Sequence, residues 1–572
     1  MRADALKRFV PALSWLASYD RRTLPADVLA GFITAVLLVP QGMAYATLAG
    51  LPPQVGLYAS ILPPLIYALL GTSRTLSVGP VSVAALLVAN ALASSSAEAY
   101  LADALLLAAM SGVLLLMMAL LRLDVLVNFI SHPTLSGFTS GAALLIILSQ
   151  LGNLLAISVP STGSGLETVY KVATHLPGLD PITATLGAVG IALLLLSRRP
   201  FVSLLMRTGA SESVAVLTSR AGPLVVISLL TVCVAILQLE QKGVAVVGAL
   251  PQGLPSPSLD FLRLDRVADL LPAALMISLI GYVESISVAK VLAFRRRQKI
   301  DNNQELIALG ASNMAAAFAG GMPVAGGFSR STVNFSAGAR TQLAGIVTAV
   351  LVALVALFFT PLFYHLPKAA LGAIIVVAVA SLLDWRGFVN AWRYDKADAL
   401  TLLVTFGGVL LFDIEMGLLL GVIMGVGVFL WRSSRPHVAV VGRIPGTQHF
   451  RNVKRHSVET WPGLLLLRVD RSLFFANISY VDDLVAEQVA DNPELKHLVI
   501  ICSAMNTIDY SALEALEQLA DSLHRAGISL HLAEVKGPVM DRLAHFGIEE
   551  WLSPGKVFLS AEEAVQTLKP DE

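Results

Sequence analysis

The sequence predicts an α-helical polytopic membrane protein of about fourteen spans, arranged as two inverted halves of seven and followed by a small α/β domain. Three observations lead there. Hydrophobic residues make up 55% of the 572-residue chain and charged residues only 14%, against roughly 25% charged in a soluble chain. The hydropathy is uneven: apolar runs follow one another from Val28 to about Trp431, and charges return at soluble density from Arg432 to Glu572. Two short stretches, Ser77-Val78-Gly79-Pro80-Val81-Ser82 and Gly326-Gly327-Phe328-Ser329-Arg330-Ser331, interrupt apolar segments at corresponding places in the two halves.

The apolar segments run from Val28–Leu48 to Gly417–Trp431, and those at Val81–Ser94 and Ser329–Ala337 are short, as half-helices would be. Basic residues set the orientation. Arg21 and Arg22 precede the first span, Arg74 follows the second and Arg122 the fourth. Arg198, Arg199, Arg207 and Arg220 follow the sixth, Arg295, Arg296, Arg297 and Lys299 the eighth, and Arg386, Arg393 and Lys396 the twelfth. All fall on one face if both termini are cytoplasmic. Lys242, Arg263 and Arg266 lie opposite, in the long Pro/Gly-rich loop Gln241–Asp269, where the rule is weakest. Splitting at that loop leaves an odd number of spans on each side, so the second half enters from the opposite face and the third and tenth spans become symmetry mates.

The expected domains are a cytoplasmic N-terminal segment (1–24), a transmembrane domain (25–432), a linker (433–458) and a cytoplasmic domain (459–572). The N-terminus is basic and mildly amphipathic and is not read as a cleaved signal peptide. Cys233 and Cys502 offer no disulfide framework. In the tail, strands near Leu464–Leu467, Leu498–Ser503 and Ile528–Ala533 alternate with helices at Tyr480–Ala490, Ser511–Arg525 and Pro538–Phe546, which is the pattern of an α/β domain. It carries no Gly-rich phosphate loop and no triad spacing, so a regulatory or docking module is expected. No metal constellation, cofactor motif or nucleophile–base pair points to an enzyme, and the zero net charge, an average over two unlike parts, gives no sign of a nucleic-acid partner.

A Gly/Pro break inside a bilayer is costly unless the freed backbone lines a protected cavity. The first turn of a helix presents unpaired N–H groups at a positive dipole end, so two helix starts facing each other make an anion site. Paired interrupted segments in two halves point to a transporter's substrate site.

Particular residues also carry a family resemblance. Val39-Pro40-Gln41-Gly42-Met43-Ala44-Tyr45-Ala46, Ala49-Gly50-Leu51-Pro52-Pro53 and Leu76-Ser77-Val78-Gly79-Pro80 resemble the sulfate permease family of anion transporters. Gly281-x-Val283-Glu284-Ser285-Ile286-Ser287 and Gly327-Phe328-Ser329-Arg330-Ser331-x-Val333-Asn334 match its second half, and the tail is similar to a STAS domain with Ile508-Asp509-Tyr510-Ser511 at the signature turn. The resemblance covers essentially the whole chain. It implies a seven-plus-seven inverted repeat, a core domain moving against a gate domain, and a homodimer. In its bacterial type it implies residence in the inner membrane. Relatives include sulfate/proton symporters, bicarbonate and dicarboxylate transporters and anion exchangers.

The resemblance places Gln41 and Tyr45 on the anion, and Gln41 can donate two hydrogen bonds through its amide; as isolated residues they read equally as a helix-to-helix bond and a packing aromatic. Val81 and Ser329 mark the half-helix starts, Ser329 adding a hydroxyl donor, and Phe328 lines the pocket or packs beside it. Arg330 is an intramembrane arginine, rarely tolerated without purpose; with two helix dipoles it favours a dianion, and the plain alternative is snorkelling to an interface. Glu284 sits mid-span, where a carboxylate is either neutralised or paired with a cation. It is read as the proton acceptor, against a structural pair with Arg330; Ser285 and Ser287 leave a sodium site open. Ser511 occupies the position where anti-sigma antagonists carry a phosphoserine, although Ala512 replaces the usual glycine after it, and helix capping by Ser511 or Asp509 is the simpler role.

The sequence thus points to a secondary active transporter of a small anion, sulfate first, coupled to protons, with no cofactor. Sodium-coupled bicarbonate transport, proton-coupled dicarboxylate transport and anion exchange are the alternatives in the same class. A nucleobase permease would lack the basic residue after the tenth-span serine. A membrane-anchored STAS signalling protein, with a cytosolic partner for its tail, is the reading from a different class.

Overall fold

The computed structural model describes residues 10–17, 19–125, 131–157, 164–197, 199–208, 219, 221–257 and 259–570. Arg198 and Arg220, used above for orientation, lie outside the described residues. The chain divides into two compact units, Met1–Gly425 and Val426–Glu572, and the division falls within the helix Ile414–Ser434.

Among the described residues of the first unit, 8 helices are long and apolar enough to cross a membrane by themselves, and Ser82–Ala91, Pro181–Leu196 and Gly222–Ile236 are shorter apolar helices. Their sequences are apolar all round, so no single amphipathic stripe orients them and close packing of small residues does. Helices Tyr100–Leu120 and Asn302–Phe318 meet through Gly112 and Gly310: a Cβ on Gly112 would stand 2.8 Å from the Gly310 carbonyl oxygen. An alanine at either position would force the two backbones apart. Amphipathic helices Gly165–His175 and Trp385–Tyr394 were not foreseen. The second displays stacked Trp385, Phe388 and Trp392 rings, in the same stretch as the basic residues Arg386 and Arg393.

Six elements and one wall build the interior. Helix α1 (Leu24–Leu48) carries Pro40 inside it. Strand β1 (Val78–Gly79) leads into the half-helix α2 (Ser82–Ala91). Helix α3 (Val267–Arg295) is followed in the chain by strand β2 (Ala325–Gly326) and the half-helix α4 (Phe328–Ser336). Helix α5 (Lys368–Val379) forms the opposing wall. β1 and β2 pair antiparallel, Val78 with Gly326 and Gly79 with Ala325. This short ladder closes the hydrogen-bonding requirement of two broken spans against each other, the solution demanded by a medium without water. Polar side chains complete it. Ser331 accepts from Ser77 N at 2.9 Å and Ser285 from Gly326 N at 2.7 Å. Asn334 donates to Thr75 O at 3.0 Å, Gln342 to Ser73 O and Leu76 O, and Asn313 both donates to and accepts from Val324.

The second unit is a six-stranded sheet in the order β4-β3-β5-β6-β7-β8, with β3 (Val438–Arg443), β4 (Phe450–Asn452), β5 (Leu464–Val469), β6 (His497–Ile501), β7 (Ser529–Ala533) and β8 (Val557–Phe558). β5 to β8 are parallel, and β3 is antiparallel to both its neighbours. One face packs on α6 (Ile478–Asp491), α7 (Tyr510–Arg525) and α8 (Gly537–His545), the other on α9 (Ala561–Leu568). The stretch 433–458, expected to be a linker, carries β3 and β4 instead. Its apolar run Val438–Val441 is short and flanked by basic residues, so it resembles a connector until its partner strand is known. Of the two capping candidates at the signature turn, Asp509 is the N-cap, accepting from Ala512 N at 2.9 Å, and Ser511 stands exposed in the first turn.

A buried histidine gives this unit a measurable pH dependence. His531 is 2% exposed, accepts from Lys556 N at 3.1 Å and meets His497 at 3.2 Å. Burial first, then His497 and Lys556, push its pKa down to about 4. The unfolded chain therefore binds the extra proton between about pH 6.5 and that value, and folding stability falls as pH falls through this window. The loss at pH 4.5 is expected to be about 2–3 kcal/mol. His531→Gln keeps an acceptor without titrating, so acid and thermal melts followed in the C-terminal unit should show a shallower loss in the variant. Equal slopes would contradict the assignment.

Candidate anion site

Both half-helices begin at residues that leave their first-turn N–H groups free of side-chain caps: Val81 is the N-cap of α2 and Gly327 that of α4, each in extended backbone. Extended geometry at the cap continues the ladder before it, and both caps border the space beside β1 and β2. A small cavity of about 50 Å³ lies there, lined by Gln41, Tyr45, Val81, Glu284, Ser329 and Arg330, with Phe328 at its edge. All the residues singled out for the site in the membrane part of the sequence therefore come together, from α1, α2, α3 and α4. Ser511 belongs to the other unit.

Arg330 is 2% exposed. Its Nη1 donates to Pro80 O at 2.6 Å, tying one half-helix start to the other, while Nε and Nη2 are buried without a protein partner. Two orphaned donors on one buried guanidinium are costly. They point into the cavity's chemistry as a site awaiting an acceptor of negative charge, and a guanidinium offers its donors as a planar fork suited to oxyanions. Gly327 permits this placement: a Cβ there would stand 2.9 Å from Arg330 Cζ. Glu284 shares the cavity and couples electrostatically to Arg330, with no direct ion pair between them among the described residues. The hydroxyls of Ser285 and Ser287 are bonded to carbonyls of their own helix, Gly281 O at 2.5 Å and Val283 O at 2.6 Å, and among the described residues no three His, Cys, Asp or Glu side chains cluster as metal ligands would.

The cavity continues into a vestibule of about 470 Å³ through the shared residues Gln41, Ser329, Ala378 and Ser381. The vestibule reaches Ser197, Val202 and Met206. Ser82 and Ser381 line the site and were missed. Ser82 was legible, since it is the first helical residue after Val81; Ser381 was not, because nothing in its local sequence marks the wall that faces the half-helices.

Residues 24–405 match the model of the sulfate permease family and residues 455–564 that of the STAS domain. The chain is 34% identical to the probable sulfate transporter 4.2 of Arabidopsis thaliana, over 98% of this chain and 84% of that one. It is 31% identical to the high affinity sulfate transporter 2 of Stylosanthes hamata, over 99% and 87%. Both are plant proteins. Among solved structures it resembles the murine Solute Carrier 26 family member A9 anion transporter in the inward-facing state, with a TM-score of 0.89 at 24% identity over 99% of this chain and 95% of that one. It also resembles the transmembrane domain of a cyanobacterium bicarbonate transporter, with a TM-score of 0.59 at 22% identity over 71% and 98%. With this coverage from end to end, the chain is a multi-pass membrane protein with a C-terminal STAS domain, and it belongs to the sulfate permease family.

Proposed function

We propose that the protein is a secondary active anion transporter whose substrate is sulfate, bound between the two half-helix N-termini and coupled to a proton through Glu284. The single observation that carries this reading is Arg330, buried with two unpartnered donors beside both helix starts. A fixed positive charge and two dipole ends together favour a dianion over a monoanion. The relatives named sulfate transporters support the choice of sulfate. Proton coupling is preferred to sodium because the Glu284 carboxylate lies in the cavity, where it can carry a proton, and the Ser285 hydroxyl oxygen is already accepting from Gly326 N.

In this reading both termini are cytoplasmic in a cell membrane, following the basic clusters, and the vestibule gives the inward-open arrangement. Helices α1 to α4 move as the core against the wall containing α5. The protein works as a homodimer, and the STAS domain docks a cytosolic partner or takes phosphate at Ser511.

The test is uptake by purified protein in liposomes, with labelled sulfate, bicarbonate, chloride and a dicarboxylate under imposed proton and sodium gradients. Sulfate accumulation driven by an acidic exterior supports the proposal; preference for a monoanion, or dependence on sodium, contradicts it. Within the same preparation, Ser329→Ala and Gln41→Ala should each weaken sulfate binding about tenfold or more, since a hydrogen bond to a charged group contributes roughly 1.5–3 kcal/mol. Calorimetric titration reads this directly, and wild-type affinity in both variants would place the site elsewhere.

A further inference from the structure

The described residues hold a second concentration of positive charge, away from the transport cavity. Two adjoining cavities of about 470 and 520 Å³ share Trp15, Arg74, Arg296 and Gln298. Their walls carry six cationic side chains: Arg74, Arg295, Arg296, Arg297, Lys299 and Arg340. Only one of these is committed to the fold. Arg296 donates to Phe335 O at 3.1 Å and to Ala339 O at the end of α4, and its guanidinium lies 4.3 Å from the centre of the Phe335 ring. The other five form no ion pair with a carboxylate among the described residues.

The acidic groups nearby, Asp20, Asp27, Asp301 and Glu305, are fewer than the cations, and each already accepts hydrogen bonds from the fold. Asp20 lines one cavity and accepts from Arg22 N at 2.9 Å. Asp27, buried at the base of α1, accepts from the backbone of Arg340 and Thr341 and from the Thr341 hydroxyl. Glu305 accepts from Tyr67, Thr72 and Ser73. Burial and then the neighbouring Arg340 push Arg296 below the ordinary arginine range, with Asp27 acting the other way and Arg74 lowering it further. An excess of like charges gathered around a concave surface, six cations here against four carboxylates, raises the local concentration of anions.

The location narrows the anion. Leu24, Val28, Leu29 and Phe32 stand exposed along the start of α1, and on a membrane-spanning helix such a row faces lipid. The cavities, with Trp15 and Tyr19 in their walls, thus open at the level where phospholipid phosphates and interfacial aromatics sit. We propose that this pair of cavities binds a phosphate-bearing anion, either an acidic phospholipid headgroup or a free polyphosphate, and so braces the anion-binding half of the membrane unit. The bracing follows from the wall's composition. Arg74 stands in the loop before β1, Arg295 to Lys299 end α3, and Arg340 follows α4. One polyanion bridging them links the basic-face ends of the elements that form the transport cavity.

The full-length protein is titrated calorimetrically with inorganic pyrophosphate, and its melting temperature is measured in nanodiscs of phosphatidylcholine with and without phosphatidylglycerol. The variant is Arg74→Gln/Arg297→Gln/Lys299→Gln, built from exposed residues outside the transport cavity. Pyrophosphate binding at least tenfold weaker in the triple variant, yet retained in Ser329→Ala, supports the proposal with a free polyphosphate as ligand. Stabilisation by phosphatidylglycerol that the triple variant loses, without a pyrophosphate response, supports it with the lipid as ligand. Arg297→Glu alone repeats both arms should the triple variant misfold, and is expected to weaken them in the same direction. Equal responses in wild type and variants, no response in either arm, or pyrophosphate binding lost only in Ser329→Ala would overturn it. Because these readouts use no sulfate, their failure leaves the transport proposal standing.

Discussion

Arg330→Gln should weaken sulfate binding by about a hundredfold to ten-thousandfold, the sum of two hydrogen bonds to a charged ligand at roughly 1.5–3 kcal/mol each. The side chain is buried and holds Nε and Nη2 without a protein partner, so those donors are the ones the substrate would recover. The variant also breaks the bond from Nη1 to Pro80 O and removes the cation nearest Glu284, so some loss of stability is expected with it. Arg330→Lys separates the effects. It restores the charge as a compact ammonium without the planar fork, and it should recover part of the affinity but not all. Calorimetric titration with sulfate, on protein whose size-exclusion profile matches wild type, reads the result. Binding by Arg330→Gln within threefold of wild type would remove Arg330 from the site.

The site was legible where its chemistry conflicts with its surroundings. An arginine, a glutamate and two Gly-containing breaks inside apolar segments have few explanations in a bilayer, and the structure gathers Gln41, Tyr45, Val81, Glu284, Phe328, Ser329 and Arg330 around one cavity. The half-helices were legible for the same reason: β1 and β2 are two residues each, too short for any strand pattern, but Gly79-Pro80 and Gly326-Gly327 announce the break that they fill. What stayed hidden depends on contacts distant in sequence. Asn313, Asn334 and Gln342 hold irregular backbone through bonds to segments up to 269 residues away, and a lone Asn or Gln in a span gives no hint of its partner. The strands β3 and β4 were lost for a related reason, since a six-residue strand and a three-residue edge gain their identity only from pairing, β3 with β5 and β4 with β3.

Glu284→Gln should keep sulfate binding and counterflow exchange while losing concentrative uptake driven by an inward proton gradient. The argument starts from charge balance in the cavity. Glu284 and Arg330 share it without a direct ion pair among the described residues, and each is within electrostatic reach of the other. In the proposed mechanism the empty carrier holds Glu284 ionised, and its carboxylate offsets the guanidinium at a distance. A dianion arriving on Nε and Nη2 takes over that offset and brings two negative charges beside Glu284, in a space where charge is poorly screened. A proton on Glu284 relieves the repulsion, so anion and proton each favour the binding of the other by the same free energy. Glutamine presents a neutral side chain permanently, as the protonated acid does, and therefore supports the loaded conformation without carrying a proton. In wild-type liposomes at zero membrane potential, each coupled proton adds about tenfold accumulation per unit of acid-outside gradient, because one pH unit is worth 1.36 kcal/mol. In the variant, accumulation should collapse to the external concentration while exchange of labelled for unlabelled sulfate continues. The pair of measurements is decisive because a merely structural carboxylate would lower both together, whereas undiminished gradient-driven accumulation in Glu284→Gln would assign the proton to another group.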